Sequence, residues 1–394
     1  MRITGLRATP VAVPYRVAEC WAFGRRAGQI SILVELDTDE GLTGLGEAAA
    51  YPSAGVVLAV LDGLRPLVLG EEPYAIERLV RRIDLVGTWH HVRASSPAIA
   101  AVEMACWDLV GKACGQPLVN LLGGRVRDRV EFFYYVARQA PDEVAAEGRR
   151  AATAGFGTCY VKIGSDDPDR DVERVAALRD GAGPGMRIRV DANEAWSPGA
   201  AVRVIRRLER YDLELVEQPV SGRCLPEMAY VRGRIDTPLL ANEASWTRHD
   251  QLAVIRAGAA DVLSADNQAD GGLLNLKRSA GIAEAAGLTV VKHSLGELGV
   301  AAAAAIHLIA ATPTFRYANQ GYAALLTDDV TTPPVAVLDA GTGGRVPVPA
   351  GPGLGVALDP AKVERYHRLY SDGADRFAFH DPAALAAAPA LPKL

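Results

Sequence analysis

The 394-residue sequence reads as an α/β protein, a (β/α)8-type (TIM-like) barrel carrying an N-terminal α+β capping domain. Three observations predict this. Six polar residues, Lys162, Asp191, Glu217, Asn242, Asp266 and His293, recur at intervals of 29, 26, 25, 24 and 27 residues, about one strand, one helix and two short loops each. Each closes a short apolar run: TCYVK, RIRVD, LELVE, PLLAN, DVLSAD and LTVVKH. The first 125 residues follow another pattern, alternating and then helical. In such a barrel the C-terminal strand ends converge on one face, so the six residues are predicted to meet there.

The elements follow in order. ITGLRATPVAVPY and ISILVELDTDEGLTGLGEA have strand character, with a DEG turn and a short returning strand, so residues 1–60 predict an antiparallel meander with WAFGRRAG as a loop. Residues 56–123 are helical, most clearly in SPAIAAVEMACWDLVGKACG, where Ser96 is the expected cap, Pro97 the first helical position, and Gly115 with Pro117 the stop. Residues 1–125 therefore form the capping domain. From Val130 strands and helices alternate: VEFFYYV precedes the six runs and FRYANQ follows them, making eight strands within a barrel domain of residues 126–345. Residues 346–394 are expected to return to the capping domain.

Composition narrows the function. Apolar residues make up 49% and charged residues 23%, as in an ordinary globular protein, and a net charge of -5 gives no field for nucleic acid or an anionic membrane. A small-molecule partner is expected. The five cysteines are odd in number and no pair has zinc-ligand spacing, which fits a reducing cytoplasm. No signal-peptide core precedes Pro10 and Pro14. The longest apolar run, residues 299–311, falls short of the roughly 20 residues of a membrane span and is read as a buried helix with His307 as a core histidine.

The six residues carry a specific chemistry. Asp191 and Glu217 bring two carboxylates to one point and the next strand adds Asn242 or Glu243, a hard-oxygen set suited to Mg²⁺. Like charges about 4 Å apart repel by roughly 4 kcal/mol at an effective dielectric of 20, so a cation is the natural reason to gather them. Lys162 lies on strand two, while Asp266 and His293 lie across the mouth on strands six and seven. An Asp orients the imidazole for proton transfer near neutral pH. Two proton carriers flanking one carbon suit abstraction of an α-proton, with the metal as Lewis acid for the enediolate.

The succession of VDAN, VEQP and the strand-five residues, preceded by a lysine strand, resembles the enolase superfamily in its mandelate racemase and muconate lactonizing branch. AAVEMACWDLVGKACGQPLVNLLGG, KIGSDDPDRDVERV and HSLGELGVAAAAAIHLIAATP extend the likeness over residues 40–360. Sites of that superfamily use a Lys or His base with Mg²⁺. The resemblance implies Asp191 and Glu217 as metal ligands, Lys162 as the second lysine of a KxK motif, and Asp266 with His293 as the dyad of racemases and sugar acid dehydratases. It also implies a carboxylate substrate and a homo-oligomer.

Three positions depart from the pattern. Tyr160 replaces the first lysine of KxK and is a possible proton donor. On strand five Asn242 is preferred as ligand in the LLANEASWT frame, with Glu243 the alternative in the mandelate racemase frame. Asn319 and Gln320 stand where a glutamic acid donor would be, and their amides can bind a carboxylate but deliver no proton. Asn193 and, from two N-terminal loops, Trp21, Arg25 and Tyr51 join them as expected substrate contacts. The expected reaction is dehydration of a sugar acid. Racemisation or epimerisation of a 2-hydroxy or amino acid derivative comes second, cycloisomerisation third because the strand-six lysine is absent, and a silent metal-binding barrel last. The closely spaced glycines of GLTGLGEA lie in a meander and not at a strand-to-helix turn, so they are not read as nucleotide-binding, and His90 and His91 are read as structural.

Overall fold

Alternating apolar residues build the first layer of the protein. In the computed structural model, which describes residues 1–86, 92–165, 167–335 and 342–377, strands β1 (Ile3–Trp21), β2 (Gly24–Thr38) and β3 (Thr43–Ala49) form an antiparallel sheet in that order. Ile3, Leu6, Ile32, Val34 and Leu36 are buried in one cluster with residues of helices α1 (Ala54–Val68), α2 (Ile76–Val86) and α3 (Val92–Ala113). WAFGRRAG is not a free loop. Past a register shift between Pro14 and Glu19, β1 and β2 pair again to a two-residue tip, Ala22 and Phe23. Helix α3 begins four residues before the expected cap at Ser96, with Ser95 and Ser96 buried and Pro97 inside it. Pro97 lies past the first turn, so its missing N–H removes the bond that the Arg93 carbonyl would otherwise accept. Gly115, at φ +63°, ends it as the sequence predicts. His90 and His91 lie outside the described residues.

The glycines of GLTGLGEA serve close packing. A Cβ on Gly46 would sit 1.9 Å from the Ala101 carbonyl oxygen, and one on Gly44 would sit 2.2 Å from that of Ala105, so β3 lies directly against α3. Both obstacles are backbone and cannot rotate away. Gly46→Ala is therefore expected to cost about 3 kcal/mol of stability or more, read as a lowered urea midpoint with an unchanged slope.

After a short helix α4 (Leu118–Leu121) the period changes and the barrel begins. VEFFYYV does not form one strand: β4 (Arg129–Glu131) pairs antiparallel with a late segment, and only β5 (Tyr134–Val136) joins the parallel sheet. The sheet continues through β6 (Thr158–Lys162), β7 (Arg187–Asp191), β8 (Leu213–Glu217), β9 (Leu239–Ala241), β10 (Val262–Ala265) and β11 (Thr289–Lys292), neighbours in chain order throughout. Between them run α5 (Pro141–Thr153), α6 (Pro168–Ala182), α7 (Pro198–Leu208), α8 (Leu225–Arg232), α9 (Arg248–Ala257) and α10 (Leu273–Ala285), and α11 (Gly299–Ala310) follows β11. FRYANQ takes the eighth position without becoming a regular strand. Single bridges from Phe315 to Val290 and from Asn319 to Phe132 close the ring.

Side-chain parity then decides what faces the site. Leu215, Leu240, Val262 and Val291 cluster inside the barrel. Two residues further along each strand, on the same face, come Glu217, Asn242, Ser264 and His293. Helix α11 is buried along its length, as its alanine run predicts, and His307 is held between the Val119 N–H and the Leu354 carbonyl. Beyond the barrel, β12 (Thr331–Thr332) pairs with β14 (Ala357–Leu358), and β13 (Arg345–Pro347) with β4. Helix α12 (Pro360–Gly373) packs on β1, with His367 Nδ1 2.8 Å from the Pro10 carbonyl. Among the described residues no helix is long and apolar enough to cross a membrane.

Candidate active site

A cavity of about 230 Å³ opens at the C-terminal strand ends. Lys162, Asn193, Asn242, Glu243, His293 and Gln320 line it from the barrel, and Glu19, Trp21, Phe23 and Tyr51 from the cap. Three of the six strand-end residues, Lys162, Asn242 and His293, thus line one cavity, with Asp191 bonded to the first and Asp266 to the last. Register explains how: Lys162 pairs with Asp191 and Asp191 with Glu217, so three of the expected site residues stand level on adjacent strands.

Lys162 donates to Asp191 Oδ2 at 2.5 Å and to Asn193 Oδ1 at 2.9 Å. Burial alone would lower its ammonium, but Asp191 and Glu217 overcome that and leave it raised. Tyr160 lies beneath the cavity, stacked on Phe133, and donates its hydroxyl to the same Asp191 oxygen. Burial, reinforced by Asp191, holds that phenol well above its ordinary range. Tyr160 is therefore a donor to the carboxylate, in a place where a second lysine would add another positive charge.

Buried Asp191 and Glu217 and half-buried Glu243 lie within electrostatic reach of one another. Burial raises Glu217 well above the usual carboxylate range and lifts Glu243 to about 8, with the Asp191 charge adding to both. Asn193 links the two sides of the site: it accepts from Lys162, and its Nδ2 donates to Glu243 Oε1 at 2.9 Å. Among the described residues Glu217 Oε1 and Glu243 Oε2 are buried without a hydrogen-bond partner. Unpaired buried carboxylate oxygens are costly, and an oxygen-seeking divalent cation answers that cost. The residues present therefore fit Mg²⁺.

Strand five departs from simple parity. Asn242 leaves the extended conformation, with φ -118° and ψ -75°, and a 3-10 turn over Glu243–Ser245 follows. That turn brings Glu243 to the cavity beside Asn242, although the two would face oppositely on a continued strand. Among the described residues no three His, Cys, Asp or Glu side chains are already gathered to hold an ion. Both Asn242 and Glu243 line the cavity, so both are candidates for a third oxygen donor beside Asp191 and Glu217.

Asp266 and His293 meet at the far side. His293 Nδ1 lies 2.9 Å from Asp266 Oδ2. Asp266 also accepts from the backbone N–H groups of Gln268 at 2.6 Å and Leu295 at 3.0 Å. Burial would raise its carboxyl, but His293, Lys292 and these donors hold it below the usual range. The carboxylate fixes the imidazole with Nδ1 inward, leaving Nε2 for the cavity. In the ring of strands β6 and β11 stand nearly opposite, so Lys162 and His293 approach from two sides.

The remaining expected contacts divide. Trp21, Tyr51 and Gln320 line the cavity, whereas Arg25 stands exposed across the hairpin from Cys20 and does not. Asn319 turns away: its Oδ1 accepts from the Lys292 N–H and its Nδ2 reaches the carbonyls of Glu131 and Tyr317, so the amide closes the barrel. Sequence reasoning passed over Gln218 of VEQP, whose Oε1 accepts from the N–H groups of Asn242 and Ala244 and so holds the strand-five turn. Its φ of +34°, with +43° at Asn193 and +63° at Glu194, places left-handed non-glycine residues at the strand ends, where strain of about 1–3 kcal/mol each is commonly spent on function. Glu19 was also missed. Buried at the hairpin, it accepts from Arg26 and from the hydroxyls of Tyr135 and Tyr322, pinning the hairpin to the barrel.

Comparison with known proteins identifies the family. Residues 3–123 match the family described as mandelate racemase / muconate lactonizing enzyme, N-terminal domain, and residues 143–362 match enolase C-terminal domain-like. The chain belongs to the mandelate racemase and muconate lactonizing branch of the enolase superfamily. It is 30% identical to the L-Ala-D/L-Glu epimerase of Bacillus subtilis, over 90% of this chain and 97% of the relative. It is 32% identical to a probable glucarate dehydratase of Streptomyces coelicolor, over 90% and 88%. A solved structure described as an enolase from Thermobispora bispora, complexed with magnesium and formate, superposes with a TM-score of 0.89 at 31% identity, covering 100% of this chain and 99% of that one. This enolase-superfamily protein is an enzyme whose relatives include lyases and isomerases.

Proposed function

We propose that this enzyme removes the α-proton of a small carboxylate substrate in a Mg²⁺-dependent reaction, and that the reaction is dehydration of a sugar acid. One observation carries the reading: Lys162, held by Asp191, and His293, oriented by Asp266, enter one cavity from two sides with buried, unpartnered carboxylate oxygens between them. Mg²⁺, held by Asp191, Glu217 and either Asn242 or Glu243, would supply Lewis-acid stabilisation of the substrate carboxylate. Lys162 in its neutral form, or His293, takes the proton from Cα. His293 gives a proton to the β-hydroxyl as its C–O bond breaks and water leaves, and the enol becomes a 2-keto acid. Gln320 lines the cavity as an amide and cannot supply that proton, and we assign the role to His293. Gln320 and Tyr51 hold the substrate, and Trp21 and Phe23 of the hairpin exclude water.

A second reading, racemisation or epimerisation, is favoured by the approach of Lys162 and His293 from two sides, since one carbon could then be deprotonated on one face and reprotonated on the other. Incubating the enzyme with Mg²⁺ and a panel of sugar acids separates the two. Formation of 2-keto acid from one diastereomer supports dehydration, whereas deuterium entering at Cα without keto product supports racemisation.

A further inference from the structure

His293 and Asp266 belong to the barrel, yet the loops that follow them are held by the capping sheet and helix α3. Five residues after His293, the Leu298 N–H donates to Glu47 Oε1 at 2.6 Å, and the Ala301 N–H, in the first turn of α11, donates to Glu47 Oε2 at 2.9 Å. Ser31 on β2 orients this carboxylate through its hydroxyl at 2.8 Å. Glu103 on α3 does the same for the other loop, accepting from the Leu273 and Leu274 N–H groups at 2.9 Å each, where α10 begins after Asp266. Both glutamates are buried, and neither lines the cavity.

The loops between have little freedom. A Cβ on Gly296, at φ +102°, would meet the Gln29 amide at 1.9 Å, so cap and loop lie in direct contact there. The Ala49 N–H of β3 donates to Gln268 Oε1 at 2.5 Å in the Asp266 loop. The Leu295 N–H and His293 Nδ1 share the same oxygen of Asp266, at 3.0 and 2.9 Å. Any shift of the anchored loop end therefore reaches the hydrogen bond that orients the imidazole. The first N–H groups of a helix have no partner within it, and a carboxylate satisfies them while favouring the helix dipole.

We propose that Glu47 and Glu103 are positioning residues through which the capping domain sets the His293–Asp266 pair, so that presentation of imidazole Nε2 depends on docking of cap to barrel. The functional weight of this rests on the acid/base role proposed for His293. The positioning itself can be read without any substrate.

The test is nitrogen NMR of the full chain with ¹⁵N-labelled histidine, the His293 signals being assigned with His293→Asn. The intact protein is expected to show one tautomer with the proton on Nδ1. Glu47→Gln places an amide NH₂ among donors, Ser31→Ala removes only the orienting hydroxyl, and Glu103→Gln addresses the Asp266 loop. Each is expected to shift the tautomer ratio of His293 by about tenfold, as loss of one charge-assisted hydrogen bond would. His307, between Val119 and Leu354, is the internal control and stays unchanged. An unaltered His293 signal in the folded Ser31→Ala and Glu47→Gln proteins, or a change shared by His307, overturns the proposal. Absence of turnover on every acid would sink the proposed function and leave this result standing.

Discussion

Replacing Lys162 by alanine or His293 by asparagine is expected to lower turnover by about 10²–10⁴-fold each, the range for a positioned proton carrier. Folding should survive either change. Asp191 keeps the Tyr160 hydroxyl and the Asn193 N–H when Lys162 is removed, and Asp266 keeps its backbone donors when His293 is replaced. The two variants also discriminate mechanisms. In a dehydration the variant lacking the base loses all exchange at Cα, while the variant lacking only the departing-group acid still exchanges the α-proton without forming keto product. In a racemisation each variant loses exchange from one enantiomer and keeps it from the other. Unchanged rates in both would contradict a lysine on one side and a His/Asp pair on the other.

Glu217→Gln should separate stability from function. Burial and the mutual repulsion of Asp191, Glu217 and Glu243 make the metal-free site costly. At 4 Å and an effective dielectric of 20, one such repulsion is about 4 kcal/mol before relaxation. Glu217→Gln is therefore expected to raise the Tm of the metal-free protein while abolishing turnover. The intact enzyme should gain stability with Mg²⁺, by about 2.7 kcal/mol at a hundredfold excess over Kd, and Glu217→Gln should lose that gain. Asn242→Ala and Glu243→Gln, titrated in the same way, identify the third ligand as the one whose change removes the Mg²⁺ response. A Glu217→Gln protein that is less stable without metal and keeps its Mg²⁺ response would refute the site as a cation-holding acidic group.

Much of this was legible in the sequence because strand ends in a barrel are periodic. Lys162, Asp191, Glu217, Asp266 and His293 each close an apolar run, and the registers of β6, β7 and β8 place the first three level. Where backbone departs from regularity the reading lost its footing. WAFGRRAG continues a hairpin across a register shift, VEFFYYV divides between two sheets, and FRYANQ closes the ring by single bridges. At Asn242 the strand breaks into a 3-10 turn, so alternation no longer tells which neighbour faces the cavity. Asn319 was read as a substrate contact from its position, but its amide is consumed by backbone at the barrel closure. The grip of Glu47 and Glu103 on the two loops joins residues more than 150 positions apart and has no local signature.

The most direct measurement is the proton NMR signal at Cα of candidate hydroxy acids incubated with the enzyme and Mg²⁺ in D₂O. Loss of that signal for at least one acid, abolished by Glu217→Gln and reduced by both the Lys162 and His293 replacements, is the outcome the structure leads to. Retention of the α-proton in every acid that yields product would contradict it.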